Sequence, residues 1–172
     1  GKGKNPAESF KASKGSTTLT VKNGVLQKAP ILSKLFSLLN VSRIFSQDYG
    51  NLLASGIAYD LIQGDFAIDQ EKAKINLLSF DSPAMKMDGV GDINFGTKIF
   101  DMEVAVQPLE TIDKVVGNIP ILGTVLMGDQ GAVVVTYYKI TGPFADPKID
   151  QVVFQSLGRK GQGIFRRIFK LP

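Results

Sequence analysis

Residues 85–107 read MKMDGVGDINFGTKIFDMEVAVQ. Met85, Met87, Gly91, Ile93 and Phe95 alternate with Lys86, Asp88, Asp92 and Asn94. After Gly96-Thr97 the alternation resumes, with Phe100, Met102, Val104 and Val106 against Asp101, Glu103 and Gln107. A period of two sends alternate side chains to opposite faces of a strand, so each segment is apolar on one side and wet on the other. The connection is too short for a parallel return, which needs a crossover of about a dozen residues or more, so the two strands pair antiparallel.

The same pattern extends upstream. Ile62, Phe66 and Ile68 oppose Asp65, Ala67 and Asp69, and Asp69-Gln70-Glu71 supplies a turn. Lys72–Phe80 is the next strand; its apolar phase slips between Leu77 and Leu78, which predicts a bulge. Asp81-Ser82-Pro83 turns again, so residues 56–108 predict a four-strand meander. Residues 16–26 (STTLTVKNGVL) add a Thr-rich strand with a turn or bulge signal at Asn23-Gly24. Downstream, Ala132–Ile140 (AVVVTYYKI) is apolar on both faces, as a central or helix-covered strand must be. Asp146-Pro147 turns, and Lys148–Phe154 is a last short strand.

Three segments carry a helical period instead. Pro30 opens a run in which Ile31, Leu32, Leu35, Phe36, Leu38 and Leu39 share one face. Val41–Phe45 reads as a second short helix. After Pro108, Leu109, Ile112, Val115, Val116 and Ile119 suit a helix. Ile121–Met127 reads as an apolar turn or short helix. The expected fold is α+β and mostly β: a curved antiparallel meander of six or more strands, with the helices Ile31–Leu39 and Leu109–Ile119 packed on one face.

At 44% apolar and 21% charged residues the 172-residue chain is globular and large enough for one domain with its own core. It holds no cysteine and no histidine. That removes disulfides, thiolate metal sites, Cys nucleophiles, a Ser-His-Asp triad and His-based metal binding. The expectation is a non-enzymatic protein with no cofactor and no metal. Asp60, Asp65, Asp69, Asp88, Asp92, Asp101 and Glu103 alternate with apolar residues, which is how a solvated sheet face is written.

The net charge of +4 is unevenly spread. Lys2, Lys4, Lys11 and Lys14 make residues 1–14 a loose basic arm, and the body at 15–155 is acidic. The tail at 156–172 carries Arg159, Lys160, Arg166, Arg167 and Lys170 with no acid. Basic ends suit phosphate, of lipid more than of nucleic acid, because no aromatic base-reading motif accompanies them and the body is acidic. Gly158-Arg159-Lys160-Gly161-Gln162-Gly163 reads as a flexible linker. Beyond it, residues 164–171 form an amphipathic helix in which Ile164, Phe165, Ile168 and Phe169 share a face flanked by Arg166, Arg167 and Lys170. Two destinations are open to that face: a membrane interface, or the domain's own sheet. The expectation is that this side is exposed or loosely docked, ready for anionic lipid, with these seven residues as the membrane contacts. No apolar run reaches the roughly 18 residues of a membrane span.

An ordered set of motifs over residues 20–150 resembles the C-terminal domain of AsmA-like proteins, the bacterial envelope family that includes AsmA, TamB and YhdP. It runs from Asn23-Gly24-Val25-Leu26 through the helix with Leu35-Phe36-Ser37-Leu38-Leu39-Asn40. The strand pair Gly56-Ile57-Ala58-Tyr59-Asp60-Leu61-Ile62-Gln63-Gly64-Asp65-Phe66 follows, then Leu77–Phe80, Gly89-Val90-Gly91-Asp92-Ile93 and Phe100–Pro108. After the apolar region Ile119–Gly128, it ends on Tyr138-Lys139-Ile140-Thr141-Gly142-Pro143-Phe144-Ala145-Asp146-Pro147.

The resemblance implies a periplasmic module, the last of a longer β-rich chain anchored in the inner membrane of a Gram-negative bacterium. It implies work in phospholipid transport between membranes or in outer-membrane maintenance, through an apolar β-groove and without catalytic residues. The partners it implies are phospholipid or a membrane surface, the preceding β-rich modules and another envelope protein. The candidate groove lining is Phe66, Ile68, Ile75, Leu77, Met85, Met87, Ile93, Phe100, Met102 and Val104. The competing reading is that helices cover this face and make it an ordinary core. A protein-interaction domain that pairs through its sheet edge is the alternative function.

Overall fold

The computed structural model describes residues 11–27, 31, 56–83, 85–109, 124–128 and 131–171, the backbone alone at 124–128 and 131–133. The strands are β1 (Lys14–Leu26), β2 (Ile57–Asp69), β3 (Lys72–Asp81), β4 (Met85–Asn94), β5 (Ile99–Pro108), β6 (Thr124–Gly128), β7 (Gly131–Pro143) and β8 (Lys148–Val152). A 3-10 turn at Phe154–Ser156 leads into helix α1 (Arg159–Ile168). The strand order is β1-β2-β3-β4-β5-β7-β6, with β8 also pairing β7. Every pairing is antiparallel, and the sheet is curved and open.

The meander over 56–108 is present with its turns where the polar clusters fall. Gln70 and Lys98 take positive φ in two of those turns, and the Asn94 side chain accepts the Thr97 N–H at 3.0 Å to close the second. Asn23 also has positive φ, but β1 and β2 pair in the same register on both sides of it, so no residue is inserted there. The bulge expected in β3 is there: pairing with β4 shifts register between Ile75 and Leu78.

Three sequence expectations are corrected. Residues 124–128 form strand β6, with Gly128 opposite Gly131 in β7, instead of an apolar turn or short helix. A short apolar run has no period long enough to separate strand from helix, and pairing with β7 decides it. The last strand stops at Val152, and Phe154 belongs to the 3-10 turn. The tail helix begins at Arg159, five residues ahead of Ile164, so the glycine-rich stretch is helical. The expected helices Ile31–Leu39, Val41–Phe45 and Leu109–Ile119 lie outside the described residues, apart from Ile31 and Leu109.

β7 explains its doubly apolar sequence by having two packed faces. Tyr138 and Ile140 join a core with Ile75, Met85, Met87, Met102, Val104 and Val106 on the groove face. Val135 and Tyr137 join Val90, Ala105, Leu157 and Phe165 on the opposite, helix-bearing face.

The helix lacks a capping side chain of its own. A carboxylate from β5 sits at its N-terminus instead, where it favours the helix dipole. Glu103 accepts the Gly158 N–H at 2.6 Å while sitting 3.8 Å from Lys139 Nζ. Gly161 lies against the same carboxylate, where any Cβ would collide with Glu103. Lys160 Nζ donates to the Ile75 carbonyl at 2.7 Å, beside the β3 bulge. Removing the Glu103 contact by Glu103→Ala is expected to cost about 1 kcal/mol, since the bond is partly solvated. Hydrogen exchange should accelerate over residues 157–169 while the amides of β4 and β5 stay protected; uniform acceleration would refute a local role.

Candidate lipid groove and the tail face

Cross-strand register places the groove-face side chains in rows. Ile62, Phe80, Met87 and Val106 stand abreast across β2 to β5. The next row is Gly64, Leu78, Gly89, Val104 and Tyr138; then come Phe66, Ile75, Gly91, Met102 and Ile140. The last is Ile68, Ala73, Ile93, Phe100 and Gly142. The two middle rows pair bulky apolar residues with glycine. The place of a Gly64 side chain is taken by the Phe66 ring, while Gly89 lines a cavity of about 440 Å³ on this face.

Its described lining is apolar throughout: Leu26, Ile31, Ile62, Leu78, Phe80, Met87, Gly89, Ile93, Phe100, Met102, Val104, Ile140 and Phe144. Phe100 and Phe144 stack at 4.3 Å between ring centres along part of the wall. Gly89 and Gly91 do different work. A Cβ at Gly89 would meet Met102 Cε and Val104 Cγ2 at 3.6 Å and the Glu103 carbonyl oxygen at 3.7 Å, ordinary contact, so the floor has room for a methyl group there. Gly91 has φ +146°, and a Cβ there would run into the Asp101 carbonyl and the Met102 backbone.

Of the ten groove residues proposed from sequence, Met87, Ile93, Phe100, Met102 and Val104 line the cavity. Phe66, Ile75 and Met85 belong to the core cluster of the same face. Ile68 is half-buried in the last row. Leu77 is replaced by Leu78: the bulge lets Ile75 and Leu78 both face the groove, so strict alternation from Ile75 selects the wrong leucine. Leu26, Ile62, Phe80, Ile140 and Phe144 were not among those ten. Ile62 shares the alternation of Phe66 and Ile68, but that it and Phe80 stand in one row with Met87 is legible only once the strand pairing is known.

The opposite face holds the tail. Phe165 is fully buried, with Tyr137 at 6.0 Å and Phe169 at 6.5 Å between ring centres. The expected loose apolar side is therefore docked on the domain itself at its central residue. Ile164 and Phe169 are half-buried, and Ile168 is exposed. Arg166, Arg167 and Lys170 are exposed, and Arg166 lies 5.7 Å from the centre of the Phe154 ring. Among the described residues no helix is long and apolar enough to cross a membrane.

Of the seven carboxylates read as a solvated face, Asp60, Asp65, Asp69, Asp92 and Asp101 are exposed, whereas Asp88 and Glu103 are half-buried, Glu103 beneath the start of α1. Burial pushes Asp88 above the ordinary carboxylate range, against the lowering effect of Ser79, whose hydroxyl donates to Oδ1 at 2.6 Å. A raised folded pKa means that the fold loses stability as pH rises from the unfolded value through the folded one. Asp88→Asn is therefore expected to raise Tm relative to the parent at pH 7. The gap should close as pH falls through the carboxylate range, followed by paired thermal melts. A gap that widens toward acid would reverse the sign.

No curated protein and no solved structure matches the chain. The family model described as YhdP protein matches residues 5–149, which span β1 to β7 and the start of β8, the whole of the groove and none of α1. The chain belongs to the YhdP family, within the AsmA-like group of envelope proteins.

Proposed function

We propose that the groove face holds the acyl chains of phospholipid, and that the domain serves phospholipid transport between the inner and outer membranes, or outer-membrane maintenance, without catalysis. The observation that carries this reading is a cavity of about 440 Å³ with an entirely apolar described lining. That volume falls in the range of about 300–1,000 Å³ typical of small-molecule sites. None of the described lining side chains offers a hydrogen bond or a charge, which suits hydrocarbon and leaves the headgroup outside. Burying about ten methylenes gains roughly 8 kcal/mol before the cost of ordering the chain. The absence of histidine and cysteine supports a non-enzymatic role. The family supports a bacterial envelope setting, and the reading takes the domain to be a periplasmic module at the end of a longer, inner-membrane-anchored β-rich chain.

Native mass spectrometry of the protein purified from bacterial cells tests the groove. Phospholipid adducts are expected, in the headgroup proportions of the membrane. A clean apo mass would count against the reading. The alternative, pairing of the sheet edge with another module or an envelope protein, is favoured by β1: among the described residues it pairs only β2, and its Leu19 and Val25 are 45% and 53% exposed.

A further inference from the structure

We propose that the outward face of α1 is a cationic stripe that adsorbs the domain peripherally to an anionic phospholipid bilayer, while the helix's apolar side stays bound to the sheet. The two sides of the helix are cleanly divided. Gly161 and Phe165 are buried against β4, β5 and β7. Arg159, Arg166 and Arg167 recur at helical spacing on the other side, and Lys170 follows just past the helix end. All four are exposed.

The stripe is uncompensated. Residues 151–172 contain no Asp or Glu. None of the four cations has an ion-pair partner among the described residues, whereas Lys11, Lys14, Lys139 and Lys148 each do. Unpaired arginines on a face turned from an acidic body complement a surface of phosphates. Ile168 and Val153, 38% and 40% exposed, give the same neighbourhood a shallow apolar fringe. Because Phe165 is committed to the core, the contact is electrostatic adsorption and not insertion. It lies on the opposite face of the sheet from the groove and does not depend on the groove reading.

Flotation of the full chain with vesicles tests it. One set is phosphatidylethanolamine with a third phosphatidylglycerol; the other is wholly zwitterionic. The protein should float with the anionic set at low salt. The bound fraction should fall at least about tenfold with zwitterionic vesicles, at 0.5 M salt, and in the Arg166→Glu, Arg167→Glu, Lys170→Glu variant. The corresponding triple Gln variant should lose part of the binding, and keeps the test usable if the Glu variant misfolds. Equal flotation with zwitterionic vesicles, salt-resistant binding, no flotation, or displacement by inorganic phosphate at matched ionic strength would each overturn the proposal. Gly89→Leu, which alters only the groove, should float like the parent; its loss would overturn the stripe in favour of groove-mediated contact. A protein that floats yet shows no lipid adduct by mass spectrometry would sink the groove reading and leave the stripe standing.

Discussion

Phe165→Ala is expected to lower the stability of the domain by about 3–5 kcal/mol, the range for truncating a buried aromatic and leaving its cavity. The ring is fully buried and is the part of α1 that reaches deepest into the cluster of Val90, Ala105, Val135, Tyr137 and Leu157. For a domain of this size each kcal/mol moves Tm by about 2–4 °C, so the fall should be on the order of 10 °C. Ile168→Ala, on the same helix at an exposed position, should stay within about 0.5 kcal/mol of the parent. The contrast separates a helix built into the fold from one that merely rests on it. If both variants melt like the parent, α1 does not contribute to the core and Phe165 is free for other partners. If exchange protection is lost over 157–169 and also over β7, the second face of that strand depends on the helix, as its doubly apolar sequence requires.

The tail shows what sequence carries and what it does not. Its amphipathic pattern is plain in Ile164, Phe165, Ile168 and Phe169, but a bilayer and a sheet face ask for the same pattern. The deciding contacts come from far along the chain: Glu103 on Gly158, the Ile75 carbonyl on Lys160, Tyr137 on Phe165. Gly161 reads as a breaker because helix propensity penalises it, while the structure needs it small beneath Glu103. The meander is the opposite case. Its alternation, its turns and its bulge are local features, so Met85–Gln107 was enough to place two strands and their faces. The groove is intermediate. Five of its lining residues follow from alternation alone, and the bulge then exchanges Leu77 for Leu78, a one-residue shift that moves a side chain to the other face. Gly89, in the floor of the cavity, is a position that a hydrophobic pattern does not register.

Two glycines two residues apart on β4 should therefore respond in opposite ways. Gly91→Ala is expected to destabilise by about 3 kcal/mol or more, because its φ of +146° is a conformation that side chains rarely adopt and its Cβ would strike the backbone of β5. Neither obstacle is a movable side chain, so relaxation must bend the strand. The Cβ of Gly89→Leu meets Met102 Cε, Val104 Cγ2 and the Glu103 carbonyl oxygen at ordinary distance, and the variant replaces a residue that weakens strands. Its Tm should match or exceed that of the parent. Its side chain would occupy the floor between Leu78 and Val104 and take up cavity volume. Bound phospholipid should fall to under about a tenth of the parent level, since an acyl segment loses roughly 0.8 kcal/mol for each methylene kept out of the groove. The pair is read by thermal melts and native mass spectrometry of protein from the same cells. A stable Gly89→Leu that still carries a full complement of lipid would show that the chains are held elsewhere, and the apolar face would then be a core and not a groove.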